Sequence, residues 1–503
     1  MTPKSRSDPT RRMKILLIQP PNTSRGLLAL GGQEIPLSLA YLASSLKHAG
    51  FPDVGILDLA FRNLSDAEYS RAVFDFQPDL VGLTAYTHNV EFASRLAALA
   101  KEANPRTATI LGGFHASALP ERTLREESAF DYVAVGEGEA TVVELARALR
   151  DLDEVPAIDG LARRVDDEVR LGPVRAAESQ LDDLPFPDRT LIPVASYMPD
   201  PGNYYRLPST GILYSRGCPY KCTYCSKSVF LDRVRFRSPE NFLAEVGECD
   251  RSFGIRDFRL EDEGPTVAPK KIAALCEAIL DRGVDITWNC FSRVDRVDAE
   301  MLRLMSRAGC YHITYGVEST DDAELKNLKK NICFEEARSA VRMTRRHGIE
   351  AKVNFILGFP WQDMNDCKKT VRDAIRLAPD LVSFNVFKPL PGSPLFDDLD
   401  RARRIHHSSW EDYSIDTEKL LFEAKYTEAQ MRALVRWANL SFYFRPATVA
   451  RRFLRMLRHP KRELKTVLQG LGVLLTMARK SLGSKSPSNT VLMGPATEPS
   501  SIG

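Results

Sequence analysis

Short β-rich apolar runs alternate with stretches of helical periodicity from Met13 to about Arg150. Lys14–Gln19, Asp53–Leu57, Leu80–Thr84, Thr109–Leu111 and Tyr132–Val135 read as strands, with Leu37–Ala49, Val90–Ala103 and Thr141–Arg150 as helices between them. This alternation predicts βαβ units and a doubly wound parallel sheet over residues 13–150. Ligands of such sheets lie beyond the carboxyl ends of the strands. Here those ends carry Pro20-Pro21-Asn22, Thr84-Ala85-Tyr86, Gly112-Gly113 and Gly136-Glu137-Gly138.

From residue 151 to 208 the chain turns to Pro, Asp and Arg, with Leu184-Pro185-Phe186-Pro187-Asp188-Arg189 at its middle and a short hairpin-like pattern before it, and reads as a linker. A second β/α alternation follows over 209–400. Its strands are expected near Gly211–Ser215, Asp257–Glu261, Asp285–Cys290, His312–Gly316, Lys352–Gly358 and Val382–Phe387, six repeats that predict a partial (β/α)6 barrel. A capping Ser238 followed by Pro239 marks one helix start. Beyond about Asp400 the pattern is helical and basic to residue 482, then a Ser/Pro/Gly tail over 483–503. Residues 1–12 read as a flexible N-terminus.

The chain has 503 residues, 44% hydrophobic and 27% charged, which excludes disordered and low-complexity classes and requires more than one domain. A net charge of +3 argues against a nucleic-acid partner. Eleven Lys or Arg and one acid between Arg445 and Lys485 form a basic appendage. With Leu454, Leu457, Leu464, Val467, Leu468 and Leu471 among the cations, it fits an interfacial amphipathic helix, or a face packed on its own domain with solvated charges. No apolar run reaches the length of a membrane span or of a signal sequence. The nine cysteines are odd in number and scattered, so a reducing, cytoplasmic setting is expected, with peripheral contact at the inner membrane face through residues 445–485.

The chemistry concentrates in Cys218-Pro219-Tyr220-Lys221-Cys222-Thr223-Tyr224-Cys225, a C-x3-C-x2-C loop after the first strand of the second alternation. Three thiolates on a four-iron cluster leave one iron open to a small molecule. The alternative is zinc, but a structural zinc site wants a fourth ligand, and no second Cys or His pair lies nearby. The loop resembles that of the radical S-adenosylmethionine (SAM) superfamily, with Tyr224 in its aromatic place. The resemblance implies a 4Fe-4S cluster on Cys218, Cys222 and Cys225. It also implies SAM chelated to the open iron, and reductive cleavage to a 5′-deoxyadenosyl radical. It further places Glu261, in Glu261-Asp262-Glu263, at the SAM amino group, Arg293 at its carboxylate, and Glu318 on the strand that meets adenine and ribose. A surface ion pair is the plain alternative for Arg293 and Glu318. The other six cysteines sit in apolar patterns and are expected to pack.

Placed ahead of such a barrel, the first domain resembles the cobalamin-binding domain of the subgroup that joins cobalamin to radical SAM chemistry. Thr84 and Tyr86 occupy the place of that family's Ser-x-Leu turn, Gly112-Gly113 follows, and Gly136, Glu137 and Gly138 lead into a helix N-terminus suited to phosphate. No D-x-H-x-x-G follows the first strand, where Gln19-Pro20-Pro21-Asn22-Thr23-Ser24-Arg25-Gly26 stands, so a histidine ligand on cobalt is not expected. His115 is retained as a neighbour of the corrin. A nucleotide-binding Rossmann unit is the competitor, but it lacks its G-x-G-x-x-G.

The resemblance implies a cobalamin-dependent radical SAM methyltransferase acting on an unactivated carbon, using methylcobalamin, in the biosynthesis of a specialised metabolite or lipid. A small-molecule or lipid-linked substrate and a low-potential donor of flavodoxin or ferredoxin type go with it. The alternatives are a radical cyclase or rearrangement enzyme without methyl transfer and, from another class, a cobalamin-responsive sensor or scaffold.

Overall fold

The computed structural model describes residues 12–21 and 32–458, except Asn63, Asp153, Asp167, Ser179, Pro201, Ile415 and Asp416. The expected N-terminus and Ser/Pro/Gly tail, and the leucine pattern from Leu454 to Leu471, lie outside the described residues or side chains.

Five strands of the first sheet run parallel: β1 (Ile15–Gln19), β2 (Val54–Asp58), β3 (Leu80–Thr84), β4 (Ala108–Gly112) and β5 (Tyr132–Ala134). They stand in the order β2-β1-β3-β4-β5, and their near-continuous apolar runs are buried on both faces. The order reverses between β1 and β3, so the ligand crevice of this doubly wound unit opens where Gln19-Pro20 and Thr84-Ala85-Tyr86 end. The sheet continues past the expected boundary at residue 150. The strands β6 (Leu161–Val165) and β7 (Glu168–Leu171) form a hairpin that adds antiparallel to β5. An edge strand left bare would expose a row of unpaired backbone groups, and the first part of the supposed linker covers it.

The second sheet contains β8 (Ser209–Ile212), then β11 (Asp257–Leu260), β12 (Thr287–Ser292), β13 (Cys310–Glu318), β14 (Glu350–Leu357) and β15 (Leu381–Val386), all parallel and in chain order. Between β8 and β11 a small antiparallel ribbon pairs β9 (Ser215–Arg216) with β10 (Arg235–Phe236). The six-stranded partial barrel thus matches the expected repeats. Two of the helices between its strands start on clear side-chain caps: Ser238 accepts from the Asn241 N–H, with Pro239 in the first turn, and Asp363 accepts from the Asn365 and Asp366 N–H groups.

The two units share their cores. Ile35, Leu37 and Tyr41, from the start of the first helix (Leu37–His48), pack with Ile212, Phe242 and Phe258 of the barrel. Phe359, Phe387, Trp410 and Leu421 pack with Val81, Leu83 and Leu111 of the first sheet. Each such large apolar side chain contributes about 1.5–3 kcal/mol when fully buried, so the units hold one mutual orientation.

Candidate active site at the facing strand ends

The cysteine loop leaves β9 through Gly217, whose φ is +92° and where a Cβ would stand 2.3 Å from the Arg233 carbonyl oxygen. Only glycine makes that turn without strain. The loop is then pinned from two sides. The Thr223 N–H donates to the Leu328 carbonyl (3.0 Å), the Leu395 N–H donates to the Thr223 carbonyl (2.9 Å), and Lys227 Nζ donates to the Cys218 carbonyl (2.9 Å).

Cys222 is buried, Cys218 half-buried and Cys225 open at the wall of the recess. The surrounding protein, then the neighbouring Cys222 and Cys218, push the Cys225 thiol up to about 12, so it holds its proton until a metal replaces it. Among the described residues no three His, Cys, Asp or Glu side chains close round one point as a single ion requires. Three thiolates on one short loop are the donor set of a four-iron cluster with one iron left open.

Around the loop stand the residues that sequence singled out, and some that it missed. Tyr224 Oη accepts from Lys330 Nζ (3.1 Å), which also pairs with Glu318 (3.3 Å). Glu318 sits at φ +74°, off the register of β13 with β14, a strained backbone of the kind found at functional sites. Arg293 is fixed by Asp295 (2.9 Å) and by the Lys330 carbonyl (2.7 Å), and its guanidinium lies over the Tyr220 ring at 3.8 Å. Its Nη1 is buried with no hydrogen-bond partner, and Cys222 lies within its electrostatic reach. A buried orphan donor beside the cysteines fits an incoming carboxylate.

The three acids after β11 part company. Asp262 is structural, accepting from the Tyr214 N–H (2.9 Å) and the Ser215 hydroxyl (2.5 Å). Glu263 is the acid within reach of Cys218 and Cys225, and burial raises it to about 7 although Lys227 opposes the shift. Glu261, expected beside the SAM amino group, instead meets Arg259 (3.4 Å), and burial, with Glu34 adding, raises it to about 8.

On the other wall, Thr84, Tyr86, Gly112 and Gly113 gather at the ends of β3 and β4. Gly113 has φ +98°, and a Cβ there would meet the Ala85 carbonyl and Thr84 Oγ1, both at 2.8 Å. The Tyr86 ring lies nearly parallel to Phe114 (5.8 Å, 10°) and to His88 (6.0 Å, 8°), forming a flat aromatic shelf. Tyr86 is 55% exposed, and the surrounding protein, then Glu261 and Glu34, raise its hydroxyl pKa. A flat open shelf with glycines behind it fits a planar macrocycle.

Two expected contacts come out differently. Glu137 is committed to Arg216 (2.8 Å) and Arg235, and Glu139 to Arg216 (2.6 Å), so the carboxylates of the turn at Gly136-Glu137-Gly138 tie the first domain to the β9–β10 ribbon rather than facing a ligand. His115 points away from the shelf, fully buried and edge-on to Trp410 (4.8 Å, 75°), its Nδ1 unpartnered. The signal for Arg216 and Arg235 was present as arginines flanking the cysteine loop, but their partners lie 79 and 98 residues away.

The family profile described as B12 binding domain matches residues 26–146, and that described as Radical SAM superfamily matches residues 212–374. An uncharacterized methyltransferase of Pyrococcus horikoshii is 32% identical over 435 residues, 86% of this chain and 93% of that protein. The anaerobic magnesium-protoporphyrin IX monomethyl ester cyclase of Rubrivivax gelatinosus is 30% identical over 77% of this chain and 70% of its own. Among solved structures, the radical SAM methyltransferase TsrM of Kitasatospora setae, with cobalamin and an iron–sulfur cluster bound, superposes with a TM-score of 0.66 at 17% identity. It covers 86% of this chain and 90% of its own, a likeness of fold.

Proposed function

The chain belongs to the cobalamin-dependent radical SAM family, and from that premise we propose that it is a methyltransferase acting on an unactivated carbon of a small molecule. The observation that carries this is the facing of the two ligand edges. The Ser228 hydroxyl, three residues past Cys225, donates to the Phe114 carbonyl of the shelf (3.0 Å), and Tyr86 stands within electrostatic reach of Glu261.

Cys218, Cys222 and Cys225 would hold the cluster, Arg293 Nη1 the SAM carboxylate, and Glu263 the SAM amino group in place of Glu261. Tyr86 and Phe114 would seat the corrinoid. When bound, these groups supply hydrogen-atom abstraction from the substrate carbon and a methyl group for it. The chain's own contribution is to orient and exclude. Arg293 is preorganised by Asp295 and Lys330, Tyr224 ties the loop to the Glu318 strand, and the shared core keeps water from the seam.

A cyclase-type oxidation without methyl transfer is the second reading, favoured by the 30% identical cyclase relative. Anaerobic reconstitution with cobalamin, followed by assays for 5′-deoxyadenosine and for labelled methyl on corrinoid and product, tests the proposal. A product unchanged in methyl count selects the second reading. No SAM cleavage under strong reductant leaves the sensor or scaffold.

A small-molecule substrate and a low-potential flavodoxin- or ferredoxin-type donor complete the proposal. Among the described residues no helix is long and apolar enough to cross a membrane. Peripheral contact with an anionic membrane is supported by exposed Trp437, Leu440 and Phe444 on the helix Glu428–Tyr443 and its end. Val449 and Phe453, on the basic helix Pro446–Arg458, are exposed as well.

A further inference from the structure

The inner face of the barrel is divided into a satisfied wall and an unsatisfied one. On the satisfied side Arg259 pairs with Glu34 and Glu261, Glu34 also accepts from Asn203 (3.1 Å), and Asp200 accepts from the Gly32 N–H (2.5 Å). Asn289, next to Arg259 on the neighbouring strand, donates to the Asn203 carbonyl (2.8 Å) and to Tyr311 Oη (2.7 Å). Those acids and amides are occupied.

Opposite them, β14 and β15 alternate. Val353, Phe355, Val382, Phe384 and Val386 face the helices and are buried, so the two-residue period turns Lys352, Asn354, Ser383 and Asn385 into the lumen. The register sets Asn354 beside Ser383, with Lys352 one step below and Asn385 one step above, an upright patch of four polar side chains. All four are half-buried, and among the described residues none makes a hydrogen bond or an ion pair. Asn354 Oδ1 is shut off from solvent with no partner. Burial, then Arg259, lower the Lys352 pKa, Asp200, Glu34 and Glu350 oppose them at a distance, and among the described residues no acid pairs with its ammonium. Unpartnered polar groups on this scale inside a barrel are a cost unless a ligand takes them up.

We propose that Lys352, Asn354, Ser383 and Asn385 form the specificity site for an oxyanion of the substrate, a carboxylate or a phosphate. The inference rests on the proposed function, because it takes the lumen to be the substrate chamber. An ammonium with three donors, a hydroxyl and two amides suit an acceptor-rich group. The acids that would attract a cation are already held by Arg259, Asn203 and the Gly32 N–H. Depth fits as well: the patch lies below Phe359, against whose ring Tyr224 of the cysteine loop packs edge-on at 6.3 Å. A substrate anchored by its anion therefore directs its other end at the cysteine loop.

Equilibrium dialysis of the anaerobically reconstituted full chain against labelled inorganic phosphate, and separately against labelled succinate, tests this. Saturable binding of one probe is expected. It should weaken by about tenfold or more in Lys352→Met and survive in Lys352→Arg, since a hydrogen-bonded charge carries that much. Binding of phosphate alone assigns a phosphate ester, and binding of succinate alone a carboxylate. Should Lys352→Met fail to fold, as judged by its iron content and melting curve, Asn385→Ala and Ser383→Ala take its place, each with a several-fold loss expected. Absence of saturable binding to either probe, or unchanged binding in the folded variants, overturns the proposal. Wild-type chain that binds a probe but releases no 5′-deoxyadenosine from SAM would overturn the radical reading instead and leave the anion site standing.

Discussion

At the scale of single residues, one nitrogen is the best pointer to cofactor geometry. Arg293 uses two of its three nitrogens on Asp295 and the Lys330 carbonyl and leaves Nη1 buried and idle. Arg293→Gln is expected to raise the KM for SAM by tenfold or more, a charge-assisted pair being worth about 1.5–3 kcal/mol, with iron content unchanged. Iron assay beside initial rates separates this from a folding defect. His115 offers a different test. Burial lowers its pKa from 6.5 to about 4, so the folded protein refuses a proton that the unfolded chain accepts near 6.5. The stability contributed by the neutral imidazole is therefore present above 6.5 and lost as the pH falls toward 4. Urea midpoints should drop between pH 7 and pH 5, and His115→Leu should drop less over the same interval.

Among elements, the ribbon β9–β10 matters more than its size suggests. Arg216 and Arg235 face each other across it and meet Glu137 at the start of the helix Glu139–Asp151, all three nearly fully buried. Burial works against the charge of Glu139, but Arg216 outweighs it and holds the carboxyl below its usual range. Because Arg216 stands two residues before Cys218, this cluster sets the cysteine loop against the first sheet. Glu137→Gln leaves two buried guanidiniums short of a counter-charge and is expected to destabilise by about 3–5 kcal/mol, read from denaturant unfolding. Lost cluster assembly at unchanged stability would contradict that account.

For the whole molecule, the chain closes on itself. After the barrel it returns to the first domain, where the Trp410 N–H donates to Glu91 (2.8 Å), its indole N–H to Glu126 (2.9 Å), and Arg122 lies over its ring at 4.6 Å. Trp410→Ala should cost about 3–5 kcal/mol by the cavity it leaves, and weaken retention of cobalamin on gel filtration because the strap no longer braces the shelf. On the helices Glu428–Tyr443 and Pro446–Arg458 and the turn between them, Trp437, Leu440, Phe444, Val449 and Phe453 are each exposed. Full-length protein is expected to sediment with phosphatidylglycerol vesicles at low salt and to be released as salt screens the basic helix. Replacing Phe444 and Phe453 by serine should abolish the sedimentation.

Local pattern was enough for the parallel strands of both alternations, the partial barrel and the cysteine loop. Alternation of apolar runs fixes strands, and three cysteines on one loop stay neighbours however the chain folds. The roles of Glu137, His115, Glu261 and Glu263 were out of reach, because each depends on which distant side chain lies opposite. An acid at a helix start looks the same in sequence whether it waits for solvent or for Arg216. The hairpin β6–β7 was visible as a pattern, but its membership of the first sheet was decided by the unpaired edge of β5. The idle face of Lys352, Asn354, Ser383 and Asn385 is the clearest case. Strand periodicity places those four on one side, and only the folded partial barrel shows that no part of the described chain comes to meet them.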